Sequence, residues 1–327
     1  MSAVAWLLWG GAVAISVAYL VIRIAGLDER RLIAIQASSF PALPVIAAVP
    51  TTAQGALVAS GALEVARPPP WLALFALVLA SSVSIHRHQR RPRSCASGAG
   101  FVVATVNLQR SAAAARNVGQ RLRSLGADLL VIQEYTAETA AACRSAGLHD
   151  RYAHRVEDPR DDYFGSALFS RNPVEGSDRV MIGRRPTVTA TVVASGAAVT
   201  VANVHIQAPV HGHDIEPWRT AFDELGRLVE RTNGPTILAG DWNAVLTHRP
   251  LRRLLDRHRL VDAHGARDHR RWRGPRTWPT DRGLLPPLLC LDHVVVTRDI
   301  GVCAVREERV PGTDHKAVIA HLRLPGT

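Results

Sequence analysis

Asn107, Glu134, His205, Asp241, Asn243, Asp292, Asp314 and His315 are polar residues that stand where apolar runs begin or end. Asn107 and Glu134 close the first two such runs of the charged part of the chain, and His205 falls at the end of a later one. Asp241 and Asn243 follow Ile-Leu-Ala-Gly, Asp292 opens a run with His293 beside it, and Asp314 and His315 precede the last. Carboxylate and amide oxygens suit a hard cation such as magnesium, which takes one or two protein ligands beside waters and phosphate oxygens. Imidazoles add a general acid or base, and the two together meet the needs of phosphoester hydrolysis. Taken singly each residue has a plainer reading. Asn107 would be a turn residue, Glu134 a solvated neighbour of a helix cap, His205 a hydrogen-bonded core histidine, and Asp314 with His315 a simple turn.

Position is what lifts these residues above that reading, because strand ends in α/β folds collect functional groups. The hydrophobic periodicity predicts strands over 101–106, 128–133, 165–170, 174–182, 187–193, 198–206, 236–239, 289–297, 302–310 and 317–322. Helices are expected over 111–125, 136–146 with Thr136 as cap, 217–230 and 250–258. In the third of these, Trp218, Phe222, Leu225, Leu228 and Val229 recur at spacings of three and four, so one face is buried. Ser195 and Gly196 read as a hairpin turn, and 268–287 as a polar surface loop. His293 alternates with Asp292 and would face the other side of its strand, which marks it as structural.

The segments Thr-Val-Asn (105–107), Val-Ile-Gln-Glu (131–134), Ser-Ala-Leu-Phe-Ser-Arg (166–171), Ala-Asn-Val-His (202–205), Gly-Asp-Trp-Asn (240–243), Leu-Asp-His-Val (291–294) and Gly-Thr-Asp-His (312–315) occur in this order. Together they resemble the endonuclease/exonuclease/phosphatase superfamily of DNase I-like enzymes, and a layout of about three N-terminal spans ahead of such a domain resembles its membrane-anchored actinobacterial-type branch. The resemblance implies a four-layer α/β sandwich and a metal-dependent phosphoric ester hydrolase. It implies that Glu134 is the principal metal ligand with Asn107 beside it, and that Asp314 helps to bind the ion or orient its water. Asp241 and Asn243 then position the attacking water and the phosphate oxygens. His205 and His315 are two imidazoles around the phosphorus, and Asp292 fixes the tautomer of His315. The implied cofactor is Mg2+, with Mn2+ as the alternative, and the implied reaction is in-line attack of water without a covalent enzyme intermediate.

The chain has 327 residues, with 39 Lys plus Arg against 28 Asp plus Glu and a net charge of +11. This composition excludes a disordered tail, a coiled coil and a small disulfide scaffold. Charge is scarce before residue 87. Residues 1–22 and 32–63 carry no charged side chain, and 68–85 is a third such stretch. These predict an N-terminal transmembrane region over 1–86 with about three spans, at 2–22, 40–63 and 68–85. A basic linker over 87–100 then leads to a catalytic domain over 101–325. The positive-inside rule places that domain in the cytoplasm, because Arg23, Arg30 and Arg31 share a side with the arginines of 87–93. The layout of the resembling branch implies the opposite, extracytoplasmic side. Membrane lipids are expected partners, with a lipid-linked phosphate or a nucleic acid as substrate.

Three further features carry less weight. Cys290 and Cys303 could meet across neighbouring strands as a disulfide. The cluster His211, His213 and Asp214 lacks a strong third zinc ligand and reads as a solvated loop. Arg270 to Arg276, with Trp272 and Trp278, would hold a nucleic acid or a lipid-phosphate headgroup equally well.

Overall fold

In the computed structural model the described residues are 27–39, 98–124, 126–266, 275–284 and 286–325, with Ala14, Ala18, Tyr19, Val21 and Ala25. The chain divides into two units. The smaller comprises residues 1–90 with the short segments 210–215 and 247–249. Its described part holds helix α1 (Leu32–Ser38), where Thr247 Oγ1 donates to the Ser38 carbonyl at 2.6 Å. The three expected spans fall almost entirely outside the described residues. No helix among the described residues is long and apolar enough to cross a membrane.

The larger unit is built on two six-stranded mixed sheets. The first contains β1 (Ala99–Asn107), β2 (Leu129–Gln133), β3 (His154–Asp158), β4 (Ser166–Ser170), β11 (Gly301–Arg309) and β12 (Lys316–Leu324), ordered β11-β12-β1-β2-β4-β3. The second contains β5 (Val174–Ile182), β6 (Arg185–Ala194), β7 (Ala197–His205), β8 (Thr236–Asp241), β9 (Val261–Asp262) and β10 (Asp292–Val296), ordered β5-β6-β7-β8-β10-β9. Each sheet has one parallel pair, β1 with β2 and β7 with β8, and the other pairings of these strands are antiparallel. Those parallel pairs need crossovers. Helix α2 (Ala112–Ser124) supplies the first and α5 (Ile215–Arg231) the second, while α3 (Ala137–Ser145), α4 (Leu148–Arg151) and α6 (Arg249–Arg257) are the further α-helices of the described residues, beside three short 3-10 helices.

Alternation along the strands assigns the layers. Phe101 and Val103 of β1, Leu129 and Val131 of β2 and Leu168 of β4 join Val188, Val199, Val201, Ile237 and Val294 in a core between the sheets. Their neighbours Ala104, Val106, Leu130 and Ile132 face outward onto Ala114, Ala115 and Val118 of α2 and Cys143 of α3. On the second sheet's side, α5 buries Trp218, Phe222 and Leu225 of the expected stripe together with Ala221, while Leu228 and Val229 are half-buried. The result is helix, sheet, sheet, helix, the four-layer arrangement that the resemblance implies. Thr136 caps α3 through Thr139, in a reciprocal capping box.

Several expectations shift. β1 starts at Ala99, two residues inside the stretch expected as linker, and β10 starts at Asp292 rather than 289. Cys290 is a free buried thiol, so it does not pair with Cys303. The reason is topological: Cys290 enters a strand of the second sheet, whereas Cys303 lies on β11 in the first and is disulfide-bonded elsewhere. Gly212–Asp214 forms a single 3-10 turn in which His213 is exposed but Asp214 is buried, its carboxylate accepting from the His211 amide, so the segment is a capped turn and only partly the solvated loop expected.

Candidate active site at the ends of the two sheets

Strand register sets the frame of the site. His205 pairs with Asp241 across β7 and β8, and Asp241 pairs with Asp292 across β8 and β10, so three candidate residues stand side by side at one sheet end. In the first sheet Asn107 pairs with Gln133, which puts Glu134 one residue further on. Between them the apolar core gives way to buried amides. Gln133 Nε2 donates to Asn203 Oδ1 at 2.8 Å, and Asn203 Nδ2 donates back to the Ile132 and Ala167 carbonyls at 2.8 and 3.1 Å. These bonds tie the second sheet to the first directly beneath the site. Gly240 has φ +152°, and a Cβ there would lie 1.8 Å from the Val204 carbonyl oxygen, so only glycine lets the backbone before Asp241 come this close.

Across the gap, Asn107 Nδ2 bridges Glu134 Oε1 and Asp241 Oδ2, each at 3.1 Å, while its Oδ1 accepts from the Gln109 amide. Asn243, in a left-handed turn at φ +45°, donates its amide to Asp241 Oδ1 at 2.9 Å and its side chain to the Ile206 carbonyl. His315 Nδ1 donates to Asp292 Oδ2 at 2.9 Å, and its Nε2 lies 3.9 Å from Asp241 Oδ2 and 3.8 Å from Asp314 Oδ1. His205 Nε2 lies 3.8 Å from Asp241 Oδ2 and 4.0 Å from Glu134 Oε1. Asp314 is held by Trp278, whose indole donates to Oδ2 at 2.8 Å, and Thr313 Oγ1 donates to the Asn107 carbonyl. All eight residues expected from the sequence thus gather at one place. His293 is absent from the cluster and lies on the opposite face of β10.

Burial dominates the electrostatics. Desolvation raises Glu134 above its ordinary value despite the Asn107 bond, and it pushes Asp241 up to about 6. Burial would lower His315, but the carboxylates of Asp292, Asp241 and Asp314 outweigh it and raise the imidazole to about 10. His205 goes the other way. Burial, then the Arg185 and His315 charges, hold it well below its ordinary value, so it is neutral. Two imidazoles in one site therefore carry different charges. Oxygen donors crowded into a low-dielectric pocket, with carboxylates reluctant to ionise, fit a hard divalent cation, whose charge would relieve that cost.

Four residues at the site carry no recognisable motif. Arg185 Nη1 lies 3.0 and 3.1 Å from the two ring nitrogens of His205, so its guanidinium rests against the imidazole. Arg110 covers the Tyr163 ring at 3.9 Å, and its Nε lies 4.0 Å from Glu134 Oε2. The tight turn between β5 and β6 brings Arg185 back to the site, and only the pairing of Ile182 with Arg185 reveals it. Trp278 belongs to the Arg/Trp segment read as a ligand patch, but its indole is committed to Asp314; residues 267–274 of that segment lie outside the described residues.

The model of the Endonuclease/Exonuclease/phosphatase family matches residues 104–315, the span that contains every one of these groups. The chain belongs to this family. Endonuclease/exonuclease/phosphatase enzymes are divalent-metal-dependent phosphoric ester hydrolases, and this chain is one of them. Solved structures agree on the fold. The family member from Beutenbergia cavernae DSM 12333 is 20% identical with a TM-score of 0.54, over 69% of this chain and 72% of that one. The one from Bacteroides vulgatus is 17% identical with a TM-score of 0.56, over 69% and 99%. D. rerio TDP2 complexed with a single-strand DNA product is 13% identical with a TM-score of 0.56, over 69% and 99%. No curated protein sequence matches the chain.

Proposed function

We propose that this chain is a membrane-anchored, Mg2+-dependent phosphoesterase that hydrolyses a phosphodiester or a phosphate or pyrophosphate ester, with a lipid-linked phosphate as the favoured substrate class. The observation that carries the catalytic part is the convergence of Asn107, Glu134, His205, Asp241 and the His315–Asp292 pair where the two sheets end. The anchor rests on the uncharged stretches 1–22, 32–63 and 68–85 and the arginines of 87–93, which would hold the linker against anionic headgroups.

Glu134 and Asn107 would hold the ion, with Asp314 at its edge; Asn107 would turn its amide oxygen inward to do so. The ion would supply positive charge to the phosphate oxygens and the departing group. Asp241 has the raised basicity a general base needs, and the Asn243 backbone and side-chain amides hold its carboxylate in place while it takes the proton of the attacking water. His315, kept protonated by Asp292, would donate to a phosphate oxygen as negative charge develops there. Neutral His205 would hydrogen-bond a second oxygen, and its charge state is protected by Arg185.

A second reading is a membrane-tethered nuclease acting on DNA or RNA. It is favoured by the half-exposed Tyr163 ring under Arg110 beside Glu134, an aromatic and guanidinium pair of the kind that stacks bases. Purified full-length protein, with and without Mg2+, offered a polyprenyl pyrophosphate, single-stranded DNA, RNA and a generic phosphodiester separates the two. Cleavage of the lipid substrate supports the first reading. Full activity on oligonucleotides with none on the lipid substrate supports the second and overturns the first.

A further inference from the structure

We infer that Asp262 and His293, behind the site, form a charged clasp that positions the Asp241–Asn243 turn and the Asp292 strand end for the hydrolysis proposed above. His293 is fully buried on the face of β10 opposite Asp292. Its Nδ1 lies 2.5 Å from Asp262 Oδ2, and its Nε2 lies 2.9 Å from the Ala244 carbonyl oxygen and 3.1 Å from that of Cys290. Every one of these partners is an acceptor. With Asp262 ionised beside His293 and with the His264 amide bound to its other oxygen, both ring nitrogens carry a proton, which makes the ring an imidazolium paired with the Asp262 carboxylate.

The two carbonyls make this more than a core ion pair. Ala244 follows Asn243, whose left-handed backbone is unfavourable for a residue with a side chain, and Cys290 stands two residues before Asp292. One charged N–H therefore joins the loop that carries Asp241 and Asn243 to the segment that carries Asp292. The same two segments also meet where the Trp242 amide donates to the Leu291 carbonyl at 2.8 Å. A neutral donor in place of the imidazolium would hold the Ala244 and Cys290 carbonyls more weakly than the charged one does.

Several groups face the ring. Asp262 comes from β9, His264 from the turn after it, Cys290 from the entry to β10, and the Trp242 ring packs edge-on at 6.2 Å. Asp262 Oδ1 also accepts from the His264 amide at 2.7 Å, which fixes the carboxylate, and His264 Nε2 lies 3.1 Å from the Asp292 carbonyl oxygen. His264 Nδ1 lies 3.4 Å from Glu307 of β11. Burial would lower His293, but Asp262 outweighs it and raises the imidazole to about 9, so the clasp is charged at neutral pH.

The test uses the full chain and its variants Asp262→Asn, His293→Gln and His293→Ala, assayed under conditions where circular dichroism shows each to be folded. The clasp predicts that kcat falls about tenfold or more in Asp262→Asn and His293→Ala while KM is unchanged. His293→Gln, which keeps a neutral donor near the Nε2 position, should recover part of that loss. The alkaline fall in kcat should move toward neutrality by about one pH unit in Asp262→Asn. Variants that are less stable but turn over at the wild-type kcat would overturn the proposal, since a purely structural pair predicts that result. Nitrogen NMR of the wild-type ring needs no substrate. Two protonated nitrogens at neutral pH support the clasp and a neutral ring overturns it, even if the wild type hydrolyses no phosphoester and the reading of function itself fails.

Discussion

His315 and Asp241 show how far burial changes residue chemistry here. His315 is raised to about 10 by Asp292, Asp241 and Asp314, against the effect of burial. A folded value above the unfolded one means that the pair's contribution to stability is complete below the ordinary histidine range and is lost as pH rises through about 10. Asp292→Asn is therefore expected to bring the His315 titration down toward the ordinary range, read by NMR of the ring protons. It should also slow hydrolysis by about 10²- to 10⁴-fold, the usual share of a well-held acid or base. Asp241 is raised as well, but here the charged form is the costly one. Its folded value near 6 lies above the ordinary one, so ionised Asp241 is a burden on the fold that is full above about 6 and fades as pH falls from there toward the ordinary carboxylate range. A divalent cation relieves that burden only while the carboxylate is ionised. Magnesium should then raise the melting temperature more at pH 7 than at pH 5, and an equal effect at both would count against Asp241 and Glu134 as neighbours of the ion.

At the scale of elements, the site depends on two sheets being held at one separation, and the Gln133–Asn203 amides do this. Asn203→Leu would leave Gln133 Nε2 with Thr105 Oγ1 as its one acceptor and take the side-chain donor from the Ile132 and Ala167 carbonyls, at about 1–3 kcal/mol for each hydrogen-bonding group left without a partner. Urea unfolding should show a loss of that order, and the double variant with Gln133→Leu should lose less than the sum of the two single changes. Most elements were legible in the sequence because burial wrote a period of two or of three to four into them. The exceptions have physical causes. β3 is an edge strand of mostly polar residues with no clean alternation, α4 has four residues and β9 has two. Strand order was not legible either. Pairing between distant strands leaves no local signal, and for that reason Cys290 and Cys303 looked like neighbours although one precedes a strand of the second sheet and the other lies on β11 of the first.

For the whole molecule, the proposed catalysis would draw on both sheets, since Asn107 and Glu134 come from one and His205, Asp241 and Asp292 from the other. The motif residues were legible because each stands at a strand end beside a hydrophobic run. Arg110, Arg185 and Tyr163 were not, because they reach the site through turns and loops whose course depends on the folded chain. If the uncharged N-terminal stretches anchor the protein, the full chain should stay with the membrane fraction in high salt and leave it only with detergent; release by salt alone would mean surface attachment through the arginines. The most direct test of the central claim is hydrolysis of a generic phosphodiester by the full chain and by Glu134→Gln, with Mg2+ and with chelator. The expected result is turnover that chelation abolishes and Mg2+ restores, reduced by about 10³-fold or more in the variant. Turnover that persists in chelator, or a Glu134→Gln variant as fast as the wild type, would contradict it.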